Sequence, residues 1–198
     1  MKIVLFGATG RIGKAIAKEA SSRGHTVTSI SSKDADVTNP DDVAKVASGH
    51  GVVISAVGPT KGEPPSMLVN AARALVQGVR RSGVKRLLVV GGAGSLYVKP
   101  GLQLVDAPEF PDVYKPVALA HREALAVYRE ANDLEWTYVS PAAVIEPGPR
   151  AGRYRVGTDQ LILDASGQSR ISIADYALAF VDELESGRHK RTRIGVAH

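Results

Sequence analysis

A chain of 198 residues, 44% hydrophobic and 23% charged, is long enough for one well-cored domain and ordinary in composition for a globular one. It has no cysteine, which excludes disulfides, thiolate metal sites and thiol nucleophiles and makes a reducing, cytoplasmic setting the expectation. The net charge of +5 comes partly from Arg188, His189, Lys190, Arg191 and Arg193, read as a solvated helix end rather than a nucleic-acid surface, and no apolar run approaches the ~20 residues of a membrane helix.

The first element is the apolar run Ile3-Val4-Leu5-Phe6, a strand buried on both faces. Because this stretch is already a core strand, no signal peptide is expected. Gly7, Gly10 and Gly13 follow at once, and Ile12 and Ile16 open a helical pattern over about 11–23 that Gly24 stops. Strand, glycine turn and helix form the setting in which such a pattern binds a nucleotide. Gly7 allows a tight reversal, Gly10 lets the backbone approach a pyrophosphate, and Gly13 lets the helix pack close. The helix N-terminus offers unpaired N–H groups and a partial positive charge to phosphates. Thr9 and Arg11 add a hydroxyl and a cation, so Gly7, Thr9, Gly10, Arg11, Ile12 and Gly13 form the expected phosphate-binding set.

Gly7-Ala8-Thr9-Gly10-x-x-Gly13 resembles the turn of the atypical short-chain dehydrogenases. That group includes NmrA-like proteins, biliverdin-IXβ/flavin reductases and NADH-flavin reductase-like proteins. The resemblance implies a Rossmann sheet whose glycine turn holds NAD(P).

Thr26 to Ile30 form a second strand. An acidic residue at its end would bind a ribose 2′-OH and favour NAD. Ser31, Ser32 and Lys33 stand there instead, and two hydroxyls with a cation suit a 2′-phosphate. NADP is the expected cofactor, with NAD left open. Asp36-Val37-Thr38 resembles the family segment beside the adenine, which implies Asp36 as a contact. Asn39 reads as an N-cap before Pro40, Asp41 and Asp42. Val52 to Ser55 is a third strand. It runs into Ala56, Val57 and Gly58, small residues that let a ligand approach; in the resembling family this loop passes the ribose and nicotinamide. Ser66 is the expected cap of a helix whose apolar positions run from Leu68 to Val79 and which Gly83 ends.

Arg86 to Gly91 is a fourth strand, closed by Gly91-Gly92-Ala93-Gly94-Ser95. In short-chain dehydrogenases a serine after this strand helps bind the substrate carbonyl, which implies a role for Ser95. Residues 96–115 read as a long loop able to cover a nicotinamide. A helix over about 117–131 and a strand from Trp136 to Val139 follow. The pattern loosens over about 146–172, a small substrate-side region with short strands near Tyr154 and Ser169. Ser172-x-x-Asp175 reads as a capping box before an Ala-rich helix, and Arg193 to Val196 is a last strand. The whole is read as one α/β domain over residues 1–198. It is a Rossmann-type, doubly wound, mostly parallel sheet of six to seven strands with helices on both faces.

The short-chain dehydrogenase hallmark, Tyr-x-x-x-Lys, puts a tyrosine and a pKa-lowering cation on one helix face. It is missing: Tyr114 is followed directly by Lys115, and Ala118 holds the fourth position. Tyr114 could stack on a ring, Lys115 could steer an anion, and His121 is a candidate proton donor near neutral pH. No metal-ligand spacing appears. A missing acid suits hydride transfer to an already electrophilic ring, where the cofactors carry the reaction. Tyr-Lys-Pro at 114–116, Gly157-x-Asp159-Gln160-Leu161 and Ser169 to Ser172 resemble segments of the NADH-flavin reductase-like branch. The expected activity is NAD(P)H-dependent reduction of a flavin, quinone or similar flat acceptor by a monomer or homodimer. The alternative is a non-catalytic, NmrA-like redox sensor that works through a protein partner.

Overall fold

The computed structural model describes residues 1–198. In chain order it comprises β1 (Lys2–Phe6), α1 (Arg11–Ser22), β2 (Thr26–Ile30), α2 (Pro40–Ala47), β3 (Val52–Ser55) and α3 (Met67–Ser82). These are followed by β4 (Arg86–Val90), β5 (Tyr97–Lys99), β6 (Leu102–Gln103), α4 (Lys115–Arg129), β7 (Glu135–Ser140) and β8 (Val144–Glu146). The chain ends with β9 (Arg155–Gly157), β10 (Arg170–Ser172), α5 (Ile173–Ser186) and β11 (Thr192–Ala197).

Seven strands form the main sheet in the order β2-β1-β3-β4-β7-β11-β9, all parallel except the edge strand β9. Parallel neighbours need crossovers, and the crossover helices cover both faces. β1, β3, β4 and β7 are therefore buried on both sides. Their alternate residues feed two cores. Ile3, Leu5, Ile54, Leu88 and Val139 pack under α1 and α5. Val4, Phe6, Val53, Leu87, Trp136 and Tyr138 pack under α2, α3 and α4. The fold is the doubly wound Rossmann-type sheet that the strand and helix pattern predicts.

The strand order departs from a dinucleotide fold in which a further strand lies outside β2. Here residues 31–39 lead straight into α2, so β2 is the edge of the sheet. The chain reverses direction across the sheet between β1 and β3, and this places the switch point at the ends of those two strands.

Local chemistry explains most boundaries. The Asn39 side chain accepts from Asp41 N–H at 2.9 Å, with Pro40 opening α2. The Ser172 hydroxyl accepts from Asp175 N–H at 3.0 Å to start α5. Ser66 does not cap α3: its backbone is already helical, and its side chain makes no cap bond. The stretch at 96–115 is not a plain loop. It folds into the β5–β6 hairpin and two short 3₁₀ turns, Leu104–Asp106 and Asp112–Tyr114. Tyr97 N–H also bonds Asp159 O at 2.8 Å, which docks the hairpin on the segment after β9. β8 was not expected from the sequence; it pairs with β10 in a separate two-stranded sheet. No helix is long and apolar enough to cross a membrane.

Candidate functional site

The loops leaving β1, β3, β4 and β7 gather along one edge, where open parallel sheets bind ligands. Gly7 leaves β1 with φ +76°, a left-handed conformation that disfavours any side chain. A Cβ on Gly7 would lie 2.5 Å from the Ala56 carbonyl oxygen, and one on Gly13 would lie 2.1 Å from the Gly7 carbonyl oxygen. The fold itself demands glycine at both places. Gly10 is different. Its φ of −70° suits any residue, and a Cβ there would meet nothing nearer than the Gly7 carbonyl oxygen at 3.4 Å. Packing gives Gly10 no reason to be glycine, whereas an external group seated on this backbone does. No side chain caps α1, and the N–H groups of Arg11, Ile12 and Gly13 find no acceptor within the protein. Thr9 is exposed beside them. Uncapped backbone N–H groups at a helix N-terminus suit an anion. The Arg11 side chain lines a groove of about 650 Å³ between α1 and α5, together with Lys18 and Arg150. This groove adjoins the glycine turn rather than the ends of β4 and β7.

At the end of β2 the hydroxyl of Ser31 is already engaged. Ser31 donates its N–H and Oγ–H to Asp34 Oδ2 at 2.8 and 2.5 Å. These two bonds, with a smaller contribution from Lys33, hold the Asp34 carboxyl below the usual range. The sequence reading saw no acid at this strand end. The turn folds one back onto it, three residues along, leaving Ser32 and Lys33 exposed beside it. The Asp36 carboxylate accepts from the N–H and hydroxyl of Thr38 at 2.8 and 2.7 Å, which closes the 36–38 turn. Ala56 N–H continues the β1–β3 ladder to Phe6 O at 2.9 Å, and Val57 packs on the core under α2 and α3. Gly58 is exposed and open.

At the end of β4 three glycines let other groups close in. A Cβ on Gly91 would strike the Tyr138 ring at 2.1 Å, one on Gly92 the His121 ring at 2.9 Å, and one on Gly94 the Ala118 Cβ at 2.8 Å. Tyr138 is fully buried, and its hydroxyl lies 3.2 Å from Gly92 N, 3.1 Å from His121 O and 3.0 Å from His121 Nδ1. Burial pushes the His121 pKa down to about 4. The imidazole is neutral near pH 7, which removes the expected role of imidazolium proton donor. The buried Ser140 hydroxyl at the end of β7 has no protein partner.

Three further candidates are not gathered into this site. Ser95 is buried; its hydroxyl accepts from Arg193 Nη1 at 3.2 Å and its carbonyl from Nη2 at 3.3 Å. Arg193 also donates Nε to Asp159 at 2.8 Å. It is thus a buried clamp between the β4 loop and residue 159, not part of a solvated basic tail. Tyr114 is 64% exposed and ends a 3₁₀ turn, so it stacks on nothing. Lys115 pairs with Asp112 at 2.8 Å on the surface. The sequence reading missed Asp34, Tyr138 and Arg193. Of these only Asp34 left a signal, its Ser-x-x-Asp spacing from Ser31.

The family described as NAD(P)H-binding matches residues 7–184. The chain belongs to that family. This NAD(P)H-binding protein is 41% identical to the uncharacterized protein YwnB of Bacillus subtilis (strain 168), over 99% of its own length and 98% of that relative. Among solved structures, it is similar to a putative exported protein of Burkholderia pseudomallei (50% identity, TM-score 0.92, all of both chains). It is also similar to a putative NADH-flavin reductase of Streptococcus pneumoniae TIGR4 (36% identity, TM-score 0.90, 100% of this chain and 99% of that one). The matched region begins at Gly7, the first glycine of the turn after β1.

Proposed function

We propose that this protein is an NAD(P)H-dependent oxidoreductase that reduces a flavin, quinone or similar flat acceptor. The observation that carries the reading is a complete backbone cradle beside a strand-end cluster that holds no acid ready to donate at neutral pH. Gly10, with the free N–H groups of residues 11–13, fits a dinucleotide pyrophosphate. Ser32, Lys33 and the Asp34 turn lie at the adenosine end, and Ala56 to Gly58 with Gly91 and Gly92 at the nicotinamide end. The chemistry supplied by a bound reduced nicotinamide is hydride transfer to an electrophilic ring. The chain's own part is to bind and orient. The α1 amides neutralise phosphate charge, and the glycines after β4 let the Tyr138 and His121 rings close in at that strand end. The β5–β6 hairpin is held to residues 159–161 through Tyr97.

No Tyr-x-x-x-Lys lies on α4, Tyr114 points to solvent and His121 is neutral. An unactivated ketone needs a proton delivered with the hydride, whereas a flavin or quinone takes its proton from solvent. The test is loss of reduced-nicotinamide absorbance with NADPH and with NADH, each with and without FMN, FAD or a quinone. Acceptor-dependent oxidation is expected. Tight nicotinamide binding with no turnover across the acceptor panel would overturn the reading.

A further inference from the structure

We infer that the buried hydroxyl of Tyr138 locks His121 as its Nδ1–H tautomer, so that Nε2 is presented at the end of β4 as a hydrogen-bond acceptor for an N–H group of the ligand. Three groups surround one phenol oxygen: Gly92 N at 3.2 Å, His121 O at 3.1 Å and His121 Nδ1 at 3.0 Å. A phenol donates one hydrogen bond and accepts two. Gly92 N–H can only donate, so it fills one acceptor position. The His121 carbonyl can only accept, so it takes the phenol proton. Nδ1 must then carry its own hydrogen and donate into the second acceptor position. The reverse choice, with the phenol proton on Nδ1, leaves two oxygen atoms 3.1 Å apart with no hydrogen between them.

With Nδ1–H engaged, Nε2 carries the lone pair. It makes no hydrogen bond within the protein and, unlike the Ser140 hydroxyl, is not among the sealed and unpaired polar atoms. The ring lies over Gly92, the second residue past β4, at the edge where this fold takes ligands. The Tyr138 phenol stays protonated because burial raises its pKa, and His121 stays neutral because burial lowers its own. The matching ligand group is an N–H donor: the carboxamide of the nicotinamide, or the ring N–H of an isoalloxazine. A plain quinone has none. Tyr138 is a positioning residue in this scheme, acting through His121. The identity of the donor rests on the reductase reading; the tautomer does not.

The test is ¹H–¹⁵N correlation NMR of the ¹⁵N-histidine-labelled protein at pH 7. A protonated Nδ1 and an unprotonated Nε2 on His121 are expected, and the opposite pattern overturns the inference whether or not the protein is a reductase. Tyr138→Phe is expected to lose the Nδ1–H preference with the far-ultraviolet circular dichroism unchanged. If that variant does not fold, the wild-type spectrum still decides. NADPH alone shifting Nε2 assigns the donor to the carboxamide, and a shift only on adding FMN assigns it to the acceptor ring. Nε2 unmoved by either, with binding shown by other resonances, overturns the ligand contact. In turnover, His121→Phe is expected to raise the KM of whichever ligand moved Nε2 by about tenfold, the worth of one hydrogen bond, with kcat changed less.

Discussion

The two ends of β4 and β7 are built on opposite principles. At the amino ends, Arg86 donates to Glu183 at 2.9 Å, to Thr137 at 2.6 Å and to the Glu135 carbonyl at 2.8 Å. Glu183 also accepts from the N–H and ring of His189 at 3.0 and 2.6 Å. Each charge there is buried and answered. At the carboxyl ends the residues are Gly91, Gly92 and Ser140, the Ser140 hydroxyl is unpaired, and Nε2 of His121 has no partner. At the amino ends the charged groups hold strands and helix together, though Trp136 Nε1 is buried without a partner; at the carboxyl ends the Ser140 hydroxyl is left unpaired. The difference lies in charge: the amino ends bury paired ions, whereas the carboxyl ends, where open parallel sheets take ligands, bury none of their own.

The comparison is broken most forcefully at the closed end. Glu183→Ala leaves the Arg86 guanidinium buried and unpaired, and should cost about 3–5 kcal/mol. Urea unfolding checks this, and a loss below about 1 kcal/mol would show that the amino-end network is not the clamp described.

The next contrast lies within the open end. Gly13→Ala forces a Cβ to 2.1 Å from the Gly7 carbonyl. It should cost roughly 1–3 kcal/mol and weaken nicotinamide binding as well. Gly10→Ala should leave stability within about 0.5 kcal/mol of the parent while reducing nicotinamide affinity about tenfold or more. Paired thermal unfolding and cofactor titration separate the two. Equal stability losses would mean that Gly10 serves packing after all.

A pH-dependent effect follows from His121. Its folded pKa is depressed to about 4 from an ordinary 6.5. As pH falls from 6.5 the unfolded chain takes up a proton that the folded ring resists, so stability declines until about pH 4 and levels off below it. His121→Asn should flatten that part of the stability–pH curve, and an unchanged slope in chemical unfolding across the window would show that the ring is not buried as described.

The finest adjustment concerns Asp34, which is exposed, so its variants should fold like the parent. Asp34→Asn removes a carboxylate from the end of β2 and frees the neighbouring Ser31 hydroxyl. The ratio of NADPH to NADH preference, measured as kcat/KM, should rise. A fall would show that Ser31 and Asp34 together help hold the 2′-position of NADPH.

Much of this was legible in the chain. The runs Ile3 to Phe6 and Arg86 to Val90, the N-caps Asn39 and Ser172, and the glycine turn each declare themselves within a few residues, because strand burial, capping and backbone freedom are local properties. The reading faltered where side chains meet across long separations. Ser95 looked like a substrate residue until Arg193, 98 positions away, took its hydroxyl. Residues 96–115 looked like a loop until Tyr97 found the backbone around residue 160.

The sequence by itself determined the doubly wound sheet, the position of the glycine turn and the absence of a tyrosine–lysine acid pair. Periodicity and glycine spacing are enough for these. Only the tertiary structure decided that His121 is neutral, that Ser31 is tied to an acid, and that Tyr138 joins β7 to α4 and the end of β4. Protonation and hydrogen-bond direction depend on burial and on partners that folding alone brings within about 3 Å.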